Sequence, residues 1–216
     1  MARPKKDPEI KRKVFMDAAK KLFFTDGYDA TSIQDILLAV GNGTALSPSV
    51  FYYYFKSKDD LFEAVVQQYM KEHTDRIIQA LDHPELTYQH KLCQVLQIQE
   101  QAILDFKKID TYFDSTEMRS QYFNYVIDTQ ALSLLTEPLE RLVREAILAG
   151  DLIETPLLRQ AGPRLTVQIF LSALLPLTHQ GREEDGQHQS ERYLPLIPLI
   201  VSQFFHIPAL LQEDAK

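Results

Sequence analysis

Apolar residues in this chain recur at spacings of three and four and almost nowhere at two. That rhythm fits the turn of an α-helix and not the alternation of a half-buried strand, and only 7 glycines interrupt 216 residues. The fold class this predicts is all-α, with about nine helices. Ile10, Val14, Ala18 and Leu22, with Phe15, Ala19 and Phe23, stripe a first helix that closes at Asp26-Gly27. Thr31 is placed to cap a second helix, with Gln34 three residues on as in a capping box. That helix would bury Ile33, Ile36, Leu37 and Val40 and stop at Gly41, before the turn dipeptide Asn42-Gly43. Ser47-Pro48, a cap followed by proline at the first helical position, opens a short third helix ending near Phe55. Ser57 and Asp60 open a long fourth helix that runs through Phe62, Val66, Tyr69 and Ile77 to Leu81.

Beyond His83-Pro84 the helices lengthen, over residues 86–108, 121–149, 163–179 and 190–206, with a short aromatic segment at 112–118. Pro138 is expected to bend the second of these, because it removes a donor from the helical ladder. The reading divides the chain into a head, residues 1–57, and a body, residues 58–216, with the fourth helix as connector.

Charge follows the same division. Residues 1–58 hold ten Lys/Arg against six Asp/Glu, whereas the remainder holds thirteen against twenty-four, within a net charge of −7. A basic head on an acidic body suits a head that meets a polyanion, although an ordinary basic terminus would look similar. The leader residues Arg3, Lys5 and Lys6 would either follow a phosphate backbone or remain a solvated tail. A single cysteine, Cys93, excludes a disulfide framework. The basic start leads into no apolar run, and the uncharged stretches near the C-terminus carry prolines and polar residues, so a soluble cytoplasmic protein is expected.

Three short helices with a cap before the third fit a helix-turn-helix. In the third, Val50, Phe51, Tyr54 and Phe55 share a packing face, which leaves Ser49, Tyr52, Tyr53 and Lys56 on the other. Small hydroxyls reach base edges, phenols and ammonium groups reach phosphate oxygens, and rings touch thymine methyls. The stretches KRKVFMDAAKKLFFTDGYDATS, TSIQDILLAV and SVFYYYFKSKDDLFEAV together resemble the DNA-binding domain of the TetR family of bacterial repressors, over roughly residues 10–66. The resemblance implies that the third helix enters the major groove. It also implies phosphate contacts from Thr31, Tyr52, Tyr53 and Lys58. Lys58 has a separate rationale, because it stands at the positive N-terminus of a helix. The chain departs from the family in AVGNGTALSPS, a turn longer by about four residues than is usual between such helices. The longer turn leaves open which of Ser47, Pro48 and Ser49 meets the bases.

The body carries two further expectations. Apolar residues cover more than one face of the last two helices, as Ile169, Leu174, Leu196 and Leu199 illustrate, which points to a partner surface. The resemblance implies a four-helix bundle in a homodimer, and hence a palindromic operator read in successive grooves. The aromatic middle then becomes the region for a small, largely apolar or aromatic effector. Its candidate contacts run from Tyr112 and Met118 through Tyr122, Tyr125 and Thr129. Gln99, Gln168 and His179 stand as polar groups in otherwise apolar stretches and complete the candidate set. No cofactor and no metal site is expected. The six histidines show no metal-ligand spacing, Cys93 has no adjacent base, and no phosphate loop is present, so the chain does not read as an enzyme. The alternative to a ligand-gated repressor is a DNA-bound scaffold whose body recruits another protein.

Overall fold

The computed structural model describes residues 8–107, 118–175 and 194–205, whose regular structure is helical with no strand among them. In chain order the helices are α1 (Pro8–Asp26), α2 (Ile33–Val40), α3 (Pro48–Tyr54), α4 (Lys58–Leu81), α5 (Tyr88–Lys107), α6 (Met118–Ala149), α7 (Pro156–Leu174) and α8 (Ile197–Phe205), the last preceded by a 3-10 turn at Leu194–Leu196. Tertiary contacts divide the described chain into two units, and the division falls between Lys71 and Glu72, inside α4, beyond the residue 57/58 boundary read from the sequence. Leu61, Phe62, Val65, Val66 and Tyr69 of α4 are buried, so this part of the helix belongs to the core of the first unit.

Aromatic rings hold the first unit together. Phe15 of α1 meets Phe51 edge-on at 6.1 Å and Phe55 at 6.3 Å, while Phe23 meets Phe62 at 5.3 Å. Each such ring removes a large apolar area from water, worth roughly 1.5–3 kcal/mol. The buried stripe of α1 is Phe15, Met16, Ala19 and Phe23, whereas Ile10 and Val14 are exposed. The single stripe read from the sequence is therefore buried only on its phenylalanine side. That side fills the core, because rings reach α3 and α4 where shorter side chains do not.

One cap differs from the expected one. Ser32, not Thr31, caps α2: Asp35 N–H donates to Ser32 Oγ at 3.2 Å, and Ser32 N–H donates to Asp35 Oδ2 at 2.8 Å. Both Thr31-x-x-Gln34 and Ser32-x-x-Asp35 satisfy the capping pattern. The short carboxylate closes the ring and the amide does not.

The long turn after α2 is closed on itself. Thr44 N–H donates to Gly41 C=O at 3.1 Å across Asn42 and Gly43, whose φ values are 52° and 88°. Two successive positive φ values are what an Asn-Gly pair supplies most readily. Gly41 is required for a different reason, since a Cβ there would lie 1.8 Å from Thr44 O.

In the second unit, α6 and α7 pack most extensively on each other. Leu139, Leu142, Val143 and Ala146 of α6 and Leu158, Val167, Phe170 and Leu171 of α7 share one core cluster. Helix α6 continues through Pro138. Helix α7 starts earlier than expected, capped by Thr155, whose Oγ1 accepts from Leu158 N–H at 3.1 Å. It is kinked at Gly162, where φ is 76° and ψ 166°, immediately before Pro163. Phe205 of α8 meets Phe170 edge-on at 4.9 Å. No helix among the described residues is long and apolar enough to cross a membrane.

Candidate functional site

Helix α3 is seven residues long, so its position is set by packing and not by its own helical propensity. Phe51 and Phe55 are fully buried and fix which side faces out. Tyr52 and Tyr53 then stand outward, 57% and 73% exposed, as the pattern predicted. Each exposed phenol is braced by a ring behind it. Tyr52 lies edge-on to Phe51 at 5.3 Å, and Tyr53 lies edge-on to Tyr54 at 4.8 Å. Tyr54 in turn rests on Phe15 of α1 at 5.7 Å. A ring packed on one side has fewer rotamers open to it. Ser47, Pro48, Ser49 and Lys56 are also exposed, and the hydroxyls of Ser47 and Ser49 are 2.9 Å apart. All six residues are exposed and none is acidic, and beside them the Asp60 carboxylate accepts from Lys56 N–H at 2.7 Å.

Thr31 and Lys58 are placed differently from what the resemblance implied. Thr31 is only 2% exposed, and its hydroxyl donates to Gly27 C=O at 2.8 Å, closing the turn between α1 and α2 from within. The N-cap amide of α2, Ser32 N–H, donates to the Asp35 carboxylate of the capping box. Hydrogen bonding to Ser32 keeps the Asp35 carboxyl below its ordinary range. The Lys58 ammonium donates to Tyr28 C=O and Thr31 C=O, both at 2.9 Å, and lies 4.1 Å over the Tyr28 ring. The Tyr28 hydroxyl donates to Asp59. Two of three ammonium hydrogens are thus committed to carbonyls, and Lys58 ties the start of α4 to the loop before α2. Its sequence position at a helix N-terminus gave no sign of these two acceptors, which lie about thirty residues away.

The second unit holds an apolar cavity with about 570 Å³ of empty space, counting its opening to solvent. Five helices contribute walls, including Ile77 of α4, Leu96 of α5, Leu139 of α6, Leu171 of α7 and Val201 of α8. Among the described residues that line it, Gln99 of α5 is the only polar one. Its Oε1 lies 3.1 Å from Nε2 of His73, a side chain 5% exposed on α4.

Of the expected effector contacts whose side chains are described, Gln99 lies on this cavity and Tyr125, Thr129 and Gln168 do not. Tyr125 is 67% exposed, and Thr129 is exposed with its hydroxyl donating to Tyr125 C=O at 2.7 Å. They stand on α6 about 9–15 Å along the helix axis before Leu135, the first of its described side chains to line the cavity. Gln168 is half-buried and does not line the cavity. Met118 and Tyr122 belong to α6, but their side chains, like Tyr112 and His179, lie outside the described residues. The leader residues Arg3, Lys5 and Lys6 lie outside them as well. His73 was not anticipated at the cavity. Its signal was a polar residue at helical spacing within the stripe Val66, Tyr69, His73, Ile77.

Comparison with known proteins agrees with this architecture. Residues 15–65 match the family model described as bacterial regulatory proteins, tetR family. The chain is 25% identical over 197 residues to the HTH-type transcriptional regulator YhgD of Bacillus subtilis (strain 168), covering 88% of this chain and 94% of that one. Among solved structures, a transcriptional regulator from Cytophaga hutchinsonii ATCC 33406 superposes with a TM-score of 0.64 at 17% identity, over 92% of this chain and 97% of that one. The fatty acid degradation regulator FadR from Bacillus halodurans gives a TM-score of 0.55 at 19% identity, over 91% and 96%. These two structures share the fold. The helix-turn-helix head, residues 15–65, is thus of the tetR type of bacterial regulatory proteins, and over most of its length the chain is similar to an HTH-type transcriptional regulator.

Proposed function

We propose that the protein is a repressor that binds a palindromic operator as a homodimer and leaves it when a small apolar molecule occupies the body cavity. The observation that carries the DNA-binding part is the braced, exposed pair Tyr52 and Tyr53 on a helix anchored from its other side by the buried Phe51 and Phe55. In this reading α3 enters the major groove. Ser49 meets base edges, while the Tyr52 and Tyr53 hydroxyls, Ser47 and Lys56 meet phosphate oxygens. Lys58 acts through the loop it holds.

Exposed Leu165 and Ile169 of α7, Leu199 of α8 and Leu196 just before it support the dimer reading, since solvent-facing leucines on neighbouring helices gain by pairing with a second copy. The cavity supports a small-molecule effector over a body that recruits a protein. Helix α4 carries Lys58 at its head and Ile77 on the cavity wall, which makes it the natural element for coupling the two. A ligand that favours one arrangement of α4 would shift operator affinity by roughly 1–3 kcal/mol.

Selection of bound duplexes from a random pool by the purified protein tests the reading. The expected result is an inverted repeat with half-sites about one helical turn apart. Recovery of unrelated sequences, with no enrichment over input, would overturn it.

A further inference from the structure

The lining of the cavity restricts what can enter. Every described lining residue except Gln99 is a hydrocarbon side chain, and none is charged. A carboxylate or ammonium moved there would lose its hydration and meet no opposite charge. A neutral molecule loses far less.

The hydrogen bond at Gln99 fixes the polarity of what it can recognise. Its Oε1 carries lone pairs and no hydrogen, so the proton in the 3.1 Å contact belongs to Nε2 of His73. The imidazole takes one of the two lone pairs of Oε1, and the NH₂, which only donates, is the polar group of Gln99 on the side of the amide away from that contact. His73 is the positioning residue. It holds the amide in this sense and sits one helical turn before Ile77, itself on the cavity wall.

We infer that the cavity takes an electrically neutral, hydrocarbon-rich molecule bearing a hydrogen-bond acceptor such as an ester or ketone, which the Gln99 amide nitrogen recognises under the direction of His73. The inference rests on the effector reading above and narrows its ligand class.

Four probes of equal chain length separate the possibilities: methyl octanoate, octanoate, octylammonium and octane. Each is titrated into the full-length protein by calorimetry, with thermal shift as a second readout. Methyl octanoate is expected to bind about tenfold or more tightly than either ion, and several-fold more tightly than octane. Gln99→Leu should erase the ester-over-octane preference while octane binding persists, which controls for folding. His73→Leu should do the same, and His73→Gln, which restores a donor to Gln99 Oε1, should recover the preference. Octanoate or octylammonium binding as tightly as the ester, an ester-over-octane ratio unchanged in Gln99→Leu, or no binding of any probe would each overturn the ligand class. Operator affinity measured with each bound probe keeps the two claims separate. If the ester binds selectively through Gln99 yet operator affinity does not move, the ligand class stands and the induction reading falls.

Discussion

The ring of Tyr53 stands edge-on to that of Tyr54, with planes at 83° and centroids 4.8 Å apart. One of the pair faces solvent and the other is wedged against Phe15, so the core of the head determines where the exposed phenol points.

Separate substitutions on α3 should therefore have separable effects. Tyr53→Ala and Tyr52→Ala are expected to leave folding stability within about 0.5 kcal/mol, because both side chains are exposed. Each should weaken operator binding by about tenfold to a hundredfold, as read by fluorescence anisotropy on the selected duplex. Tyr54→Ala should lose stability as well, since it removes a partner of Phe15. Equal operator affinity in all three variants would remove α3 from the interface.

Lys58 invites the opposite expectation. Lys58→Met should lower stability by about 1–2 kcal/mol in chemical denaturation, because two carbonyls lose a charged donor. The salt dependence of operator binding should change little, whereas Lys56→Met should flatten it by close to one unit of slope. A flattened slope in Lys58→Met would show that its third hydrogen reaches a phosphate.

The long turn makes a sharp test of local geometry. Gly41→Ala places a methyl group 1.8 Å from Thr44 O, and relief requires the backbone to move. A loss of about 1–3 kcal/mol is expected, comparable to other enforced backbone strain. Thr44→Ala, with the same backbone and no clash, should be nearly neutral by thermal melting.

A pH prediction follows from Glu140. Arg144 donates to its Oε1 from Nε at 3.0 Å and from Nη2 at 2.8 Å, and Arg164 donates to Oε2 at 3.2 Å. These guanidinium groups, Arg144 first, hold the Glu140 carboxyl below its ordinary range. A depressed folded-state pKa stabilises above the unfolded value, about 4, and that contribution fades as pH falls toward the folded value. Denaturant midpoints measured across acid pH should decline there, and Glu140→Gln should show a shallower decline.

Much of the head was legible because packing and capping leave periodic marks. The outward and inward faces of α3, the Ser57–Asp60 start of α4 and the buried Ile36 and Leu37 all follow from spacing alone. The roles of Thr31 and Lys58 did not, because both depend on carbonyl groups presented by the fold and not by neighbouring side chains. The cavity was half legible. Gln99 stood out as a polar break in an apolar stripe, but the tyrosines of residues 112–129 drew attention by composition, and Tyr125 proves to face solvent. Periodicity tells which residues share a face. It does not tell how far along a long helix the cavity lies.

The reverse turn between α2 and α3 has a consequence for how such heads tolerate insertion. Its first carbonyl and last amide meet, so the chain leaves Thr44 close to where it entered at Gly41. Added length is cancelled by the loop doubling back, and what remains is a small knuckle beside the reading helix. Swapping that knuckle for others of equal closure would vary the edge of the reading surface while leaving the spacing of its supports untouched.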